Sequence, residues 1–575
     1  MTRTFDLTRP PSFDPSGVYD EMASGQGRLR PHWQSFMGTI GPLDSELMAQ
    51  RWDEARKLLR QNGVTYNIYG DPQGMERPWP LDMIPLLIPT EEWRVIEDGV
   101  RQRVQLLNAV LVDLYGPQTL IHRSRLPAAL LYSDPGFRRP CQGATIPNNV
   151  YLHFCAVDLA RSPDGSWWVL ADRTIAPSGS GYALENRGVI SKIMPDSFRH
   201  LQVERLGAFF TDIRDMLFDL AARCKTQRSG PPRVTLLTPG PYNETYFEHA
   251  FLARTLGLTL VEGGDLAVRD RRVFLKTLSG LEPVDVILRR LDDAFCDPLE
   301  LRADSSLGVA GLLEAVRAGT VVVANALGSG LMESASFKSF LPSLCRHLLG
   351  EELKLPSLAT WWCGQPTELN YVANHIEQLV IKAAHGGLHM EPIFGSSLSP
   401  TDRAALVRRM RRHPWDFVGQ ERMQLSTAPV WENGRLEPRP LVLRVYLAAR
   451  GNGDYSVMPG GLTRVSNHPE QLVVSMQRGG GSKDTWVLRT PHTERATPSR
   501  LVNSSSNAGN SDSRPPPSPL ILAPPQPTSP VESPIACSGS VATPNAPMAW
   551  CACCAEFMFA SLTDNIPARR KSLNL

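Results

Sequence analysis

The stretch LADRTIAPSGSGYALENR, Leu170 to Arg187, decides how this chain is read. An apolar run ends at Asp172, a bend rich in glycine and serine follows, and Glu185 and Asn186 then stand side by side. Such a polar bend makes poor core, and Gly179 and Gly181 permit a tight return. Asp, Glu and Asn together offer hard oxygen ligands, the donors that Mg²⁺ takes. Asp172 at a strand end, with Glu185 and Asn186 returning after the bend, is therefore a candidate magnesium set. The competing account pairs Asp172 with Arg173 or Arg187 and leaves the bend a polar turn.

The surrounding chain bounds the choice. It has 575 residues, 42% hydrophobic and 21% charged, with length for two to four domains. A net charge of +2 points to no nucleic-acid partner. No apolar run of about 18 residues appears, so no membrane span is expected. The opening MTRTFDLTRPPSFDP lacks the apolar core of a secretory signal. Of ten cysteines, seven stand alone, which suits reduced thiols, and a soluble cytoplasmic protein is expected.

Residues 1–40, rich in Pro, Gly and polar side chains, read as an extension wrapping a surface. Residues 43–63 and 90–116 have helical apolar spacing, and WWVLADRT (167–174) is a strand entering the bend. From 233 to 330 strands alternate with helices, as in a mostly parallel α/β sheet. Short strands at 378–387, 416–423, 441–449 and 454–466 indicate an α+β unit with an antiparallel sheet. Residues 490–575 hold fourteen prolines and little periodic hydrophobicity, and are expected to be disordered.

Several residues carry possible chemistry. In VIKAAHGG an apolar strand delivers Lys382 to Gly386 and Gly387. An ammonium there can sit over a phosphate cradled by loop N–H groups, or simply snorkel from a strand end. It is not a Walker loop, since no GK[ST] follows. In FVGQER, Gln420 and Glu421 at a strand exit can supply the edge contacts an adenine needs, or form an exposed turn. Arg444 in VLRVY and Arg464 in GGLTRV are charges in apolar strands, which need phosphate, carboxylate or an internal ion pair. Lys483 follows three glycines and is either a phosphate contact or a loop lysine. RRLDDAFCDPLELR (289–302) is an ion-pair network, a carboxylate site, or both.

Together with VEGGDL, EELKLPSLATWWCG and RGGGSKDTWVL, these segments resemble the circularly permuted type 2 ATP-grasp proteins over roughly residues 20–488. The fold is similar to that of glutathionylspermidine synthase-like ligases. The order of the motifs agrees with a permutation, because the acids at 172–186 precede Lys382 and Glu421. The resemblance implies α/β and α+β architecture: a permuted ATP-grasp fold (41–232 and 346–489) around a pre-ATP-grasp-like α/β domain (233–345), with an extension at 1–40 and a disordered tail at 490–575. It implies ATP and Mg²⁺ as cofactors, with the metal on Asp172, Glu185 and Asn186, and Lys382 with the loop at Gly386–Gly387 on phosphate. Lys354 would be a second lysine, and Gln420 and Glu421 the adenine hinge. Arg444, Arg464 and Lys483 would act on phosphate or acyl phosphate. The activity implied is ligation of a small-molecule or peptide carboxylate to an amine through an acyl phosphate. A nucleotide-binding scaffold without turnover and a phosphotransferase are the other classes left open. Family members often work beside a helical alpha-E domain, so a separate helical protein is an expected partner.

Overall fold

The structure is a computed structural model that describes residues 17–24, 27–40, 45–67, 77–225, 230–386, 390–432, 434–451, 453–469, 474–477 and 479–489. The tail from 490 onward and Gly387 lie outside the described residues.

In chain order, α1 (Pro31–Ile40) and α2 (Ser45–Gln61) lead to β1 (Leu81–Pro89) and the long α3 (Thr90–Tyr115). Along α3, Trp93, Ile96, Val100, Val104, Leu107 and Leu111 recur at helical spacing, and all are buried. Short helices α4 (Thr119–His122) and α5 (Ala128–Tyr132) precede the antiparallel pair β2 (Phe154–Arg161) and β3 (Trp167–Arg173). Then come α6 (Ser180–Ile193), α7 (Pro195–His200) and α8 (Gly207–Ala221). The bend in the opening stretch is thus short, and Glu185 and Asn186 lie inside a helix rather than on a returning loop.

The next part alternates as its sequence pattern requires: β4 (Val234–Leu237), α9 (Tyr246–Leu256), β5 (Thr259–Val261), a three-stranded meander β6 (Leu266–Arg269), β7 (Arg272–Thr277) and β8 (Gly280–Pro283), then β9 (Val286–Arg289), α10 (Leu312–Ala318) and β10 (Val322–Ala324). Strands β4, β5, β9 and β10 form a parallel sheet in the order β10-β9-β4-β5.

After α11 (Leu341–Leu348) the chain builds a smaller unit from β11 (Thr360–Trp362), α12 (Pro366–Asn374), β12 (Leu379–Ala383), β13 (Ile393–Phe394), α13 (Pro400–Arg412) and β14 (Phe417–Glu421). Its antiparallel sheet runs β11-β14-β12-β13. One face, with Leu379, Ile381 and Phe417, closes a core of its own against Val372, Leu406 and Met410. Because strand side chains alternate, Lys382, Gln420 and Thr360 share the other face.

The remaining strands, β15 (Thr427–Glu432), β16 (Arg435–Ala449), β17 (Tyr455–Val457), β18 (Leu462–Val465) and β19 (Gly481–Leu488), join the first three in one large sheet ordered β1-β19-β18-β16-β2-β3, with β15 and β17 also paired to β16. Residues 346–489 therefore divide between two sheets. Nor does all of 1–40 wrap a surface: α1 places Trp33 and Phe36 in the main core, edge-on to one another and Phe36 edge-on to Trp486.

Candidate functional site

Registers in the large sheet sort its charges by face. Arg444 lies opposite Asp158, Arg173 opposite Ala156, and Arg464 opposite Val442, so Asp158, Arg173, Arg444 and Arg464 share one face. Asp158 binds all three guanidiniums. It accepts from Arg444 Nε and Nη2 at 2.7 and 3.0 Å, from Arg464 Nη2 at 2.9 Å and from Arg173 Nε at 3.1 Å. Burial alone would raise its carboxyl; Arg444, Arg464 and Arg173 together hold it well below the usual carboxylate range.

Two lysines extend this array. Lys382 Nζ donates to Gln420 Oε1 at 2.5 Å, and Gln420 Nε2 donates to Thr360 Oγ1 at 3.0 Å. Partial desolvation and the charge of Arg173 lower the Lys382 ammonium from 10.5 to about 8. Lys338, in the 3-10 turn Ala335–Ser339, donates to the carbonyl of Leu170 on β3. Desolvation, then the nearby Lys382, lowers it to about 7. Glu333 accepts from the N–H groups of Thr174 and Ile175 at 2.7 and 2.8 Å and holds the chain where β3 ends. Arg173, Arg444 and Arg464 meet Asp158, Lys382 adjoins Arg173, Lys338 adjoins Lys382, Arg173 and also Asp172, and the buried Arg464 Nε has no partner. Desolvated ammonium groups beside clustered guanidiniums favour an anion as neighbour.

The three expected metal ligands do not converge. Asp172 pairs with Val157, the residue before Asp158, and so points to the opposite face of the sheet. There Arg103 of α3 binds it twice, Nε to Oδ1 at 2.6 Å and Nη2 to Oδ2 at 2.8 Å. Glu185 accepts from Asn62 Nδ2 at 2.5 Å, and the Asn186 amide is spent on Trp79 Nε1 (2.9 Å) and Ser482 Oγ (3.3 Å). Among the described residues, no group of three or more His, Cys, Asp or Glu could hold a metal ion. These side chains do not fit a resident Mg²⁺, and no step below is routed through one.

Other expectations also change place. Lys483 lies on the Asp172 face, fully buried, bound to Asp82 and to the carbonyl of Ile84 at 2.7 Å. Lys354 is exposed, its backbone N–H donating to Gln102 Oε1 at 2.9 Å. Glu421 is exposed at the end of β14, just before the 422–426 link to the large sheet, and Gly386 is exposed beyond β12. The Gln420 side chain orients Lys382 and is not free to read a base. Asp158 and Lys338 were missed. Their signals were an acid inside the apolar run FCAVDLAR and a lysine inside SASFKSF.

A separate cavity of about 1120 Å³ lies among α2, β1 and β15, lined by Trp52, Arg60, Trp79 and Trp431 among others. None of the residues bound to Asp158, and neither Lys338 nor Lys382, lines it. The charged cluster around Asp158 lies outside this cavity.

The fold and this cluster define the class. The chain belongs to the circularly permuted type 2 ATP-grasp family, whose pattern it matches over residues 85–466. It is similar to an uncharacterized protein of Synechocystis sp., 40% identical over 480 residues, or 83% of this chain and 98% of the other. It is also similar to an uncharacterized protein of Mycobacterium tuberculosis, 38% identical over 82% of this chain and 84% of that one. In structure it is similar to a glutathione synthetase-like effector from Globodera pallida, with a TM-score of 0.53 and 11% identity over 77% of this chain and 98% of that chain. At that identity the likeness is one of fold.

Proposed function

We propose that this protein is an ATP-dependent ligase that joins a carboxylate to an amine through an acyl phosphate. Family membership supports ATP as the co-substrate. The observation that carries the reading is the cationic cleft itself. Arg173, Arg444 and Arg464 on the large sheet, with Lys338 and Lys382 on the adjoining turn and small sheet, present positive charge where a triphosphate would lie.

In the first step a carboxylate oxygen attacks the γ-phosphorus. A new acyl O–P bond forms, the bond to the β-phosphate bridge breaks, and ADP leaves with that electron pair. The amine nitrogen then attacks the acyl carbon, the C–O bond breaks, inorganic phosphate departs and the amine loses a proton. Little covalent work falls to side chains in such transfers; positioning and charge stabilisation dominate. Lys338 and Lys382 neutralise the phosphate oxygens. Asp158 binds three guanidiniums at once, so their cost of ordering is met on folding. Gln420 holds Lys382 over the cleft. The small sheet, joined through residues 422–426, is the part that would cover the acyl phosphate and keep water from it. Adenine contacts fall to the backbone near Glu421 and that link. Mg²⁺ enters this reading only as the counter-ion the nucleotide brings with its phosphates.

The test is ADP formation that depends on an added carboxylate, with hydroxylamine as the trapping amine. A hydroxamate product supports the ligase. ATP binding with no carboxylate-dependent ADP across a broad panel would leave a nucleotide-binding module instead.

A further inference from the structure

The parallel sheet has a point where its connections reverse. From β4 the chain runs through α9 to β5 on one side, whereas β9 lies on the other side of β4 and continues outward through α10 to β10. In open parallel sheets the crevice beyond the strand ends at such a reversal is where ligands bind. Here that crevice lies between Thr238–Gly240, which follow β4, and Arg290, which follows β9.

Arg290 is the unusual residue. Its side chain is 1% exposed, yet only Nη2 has partners: the Pro177 carbonyl at 2.7 Å and Glu248 Oε2 at 3.5 Å. Nε and Nη1 are buried without any. Nε–H and Nη1 belong to opposite edges of the guanidinium, each edge shared with Nη2, so an incoming anion is met by one of them at a time, and buried donors left unmet are costly. Glu248 does not meet this need. Its oxygens are taken by the N–H groups of Gly179 at 2.7 and 2.9 Å and of Gly181 at 2.9 Å, so it fills the N-terminus of α6. His249, the next residue, bonds Thr238 and Thr245 and offers no charge of its own, burial lowering its imidazole well below the ordinary value.

The crevice and the cationic cleft share one loop. Pro177 accepts from Arg290, and the next residue, Ser178, accepts from Arg444 Nη1 at 3.0 Å and Tyr446 Oη at 3.0 Å. An anion accepting from Arg290 Nη1 or Nε is therefore one loop away from the guanidinium array.

We propose that Arg290 anchors the carboxylate of the acyl-donor substrate at this crevice, presenting it to the phosphates held in the cleft. The assignment of that carboxylate as the acyl donor rests on the ligase reading; the anion site itself rests on the geometry of Arg290.

Malonate is the probe. It is titrated calorimetrically into the full chain, with and without AMPPNP, for the wild type and for Arg290→Gln, Arg290→Lys and Arg464→Gln. Arg290→Gln is expected to weaken malonate binding about tenfold or more while AMPPNP affinity stays within about twofold. Arg290→Lys keeps a cation opposite Glu248, guards against misfolding and should retain part of the malonate affinity. Arg464→Gln should show the reverse split, losing nucleotide and sparing malonate. Equal malonate binding by wild type and Arg290→Gln overturns the proposal, as does a wild type that does not bind malonate. Malonate binding that depends on Arg290 in a protein that fails to bind AMPPNP removes the ligase reading and leaves the anion site standing.

Discussion

A carboxylate on a strand takes its role from the face it is on. Asp172 and Asp158 lie one register step apart; the first meets Arg103, the second meets three arginines of the cleft. Removing one partner of a buried pair leaves the other charge unmet, which typically costs about 3–5 kcal/mol. Asp172→Ala is accordingly expected to lower stability by that order, read as a shift of the urea midpoint. A variant of unchanged stability that had lost ATP turnover would return Asp172 to the metal. The lysines behave oppositely. Lys338→Met and Lys382→Met should each reduce carboxylate-dependent ADP formation about 10²–10³-fold, as loss of one electrostatic contact to a transition state does. Neither should lower the melting temperature, because each removes a desolvated charge. The pH dependence has a definite sign. Both ammonium groups titrate in the fold at about 7 and about 8, below their ordinary 10.5. Between those values and 10.5 the unfolded chain holds more protons, so their contribution to stability rises with pH. Phosphate binding needs them protonated and weakens over the same rise. Melting curves of the nucleotide-free wild type and Lys338→Met should therefore converge as pH goes from 7 to 10; a constant gap would refute the assignment.

Helix α6 shows how a segment is seated. Its N-terminus, which would attract an external anion, is already filled by Glu248 from α9. The chain enters it through Gly179 at φ +111°, where an added Cβ would stand 2.2 Å from Tyr446 Oη and 2.7 Å from Leu462 Cδ2. Gly179→Ala should cost about 1–3 kcal/mol in stability and displace the loop carrying Pro177 and Ser178. A crystal structure of the variant with that loop unmoved, or an unaltered melting curve, would contradict this. The glycines of the opening stretch were legible as a turn. That Ser180–Ile193 continues as a helix was not, because two glycines and two serines at its start hide the apolar spacing of Tyr182, Ala183, Val189 and Ile190.

Strands from both ends of the described chain meet in one sheet, β1 beside β19, so the body closes only when most of the polypeptide is present. A chain stopped before β19 would expose one edge of β18, leave β1 unpaired and strip Phe36 and Phe198 of their edge contacts with Trp486. Truncation at residue 478 is expected to abolish the cooperative melting transition, whereas a variant that keeps 479–489 should retain it. A folded, cooperative 1–478 fragment would show that the sheet does not need its second strand. Ligand linkage acts on the same unit: ATP at about 100 times its Kd should add about 2.7 kcal/mol to the stability of the whole body. The measurement is the melting temperature as a function of nucleotide concentration, and Lys382→Met should flatten it.

Order along the chain was readable because it is written in local periods. Alternating strands and helices at 233–330, the apolar strand carrying Lys382, and the strands bearing Arg444 and Arg464 all declare themselves within a window of a few residues. Which charges face one another is a different kind of fact. It depends on strand register, where one residue turns a side chain to the other surface of the sheet, and on partners hundreds of positions away. For that reason Asp172 and Lys483 leave the cleft, Asp158 and Lys338 enter it, and Arg290 ends with two donors unmet; no local pattern encodes those pairings, and only the closed tertiary structure decides them.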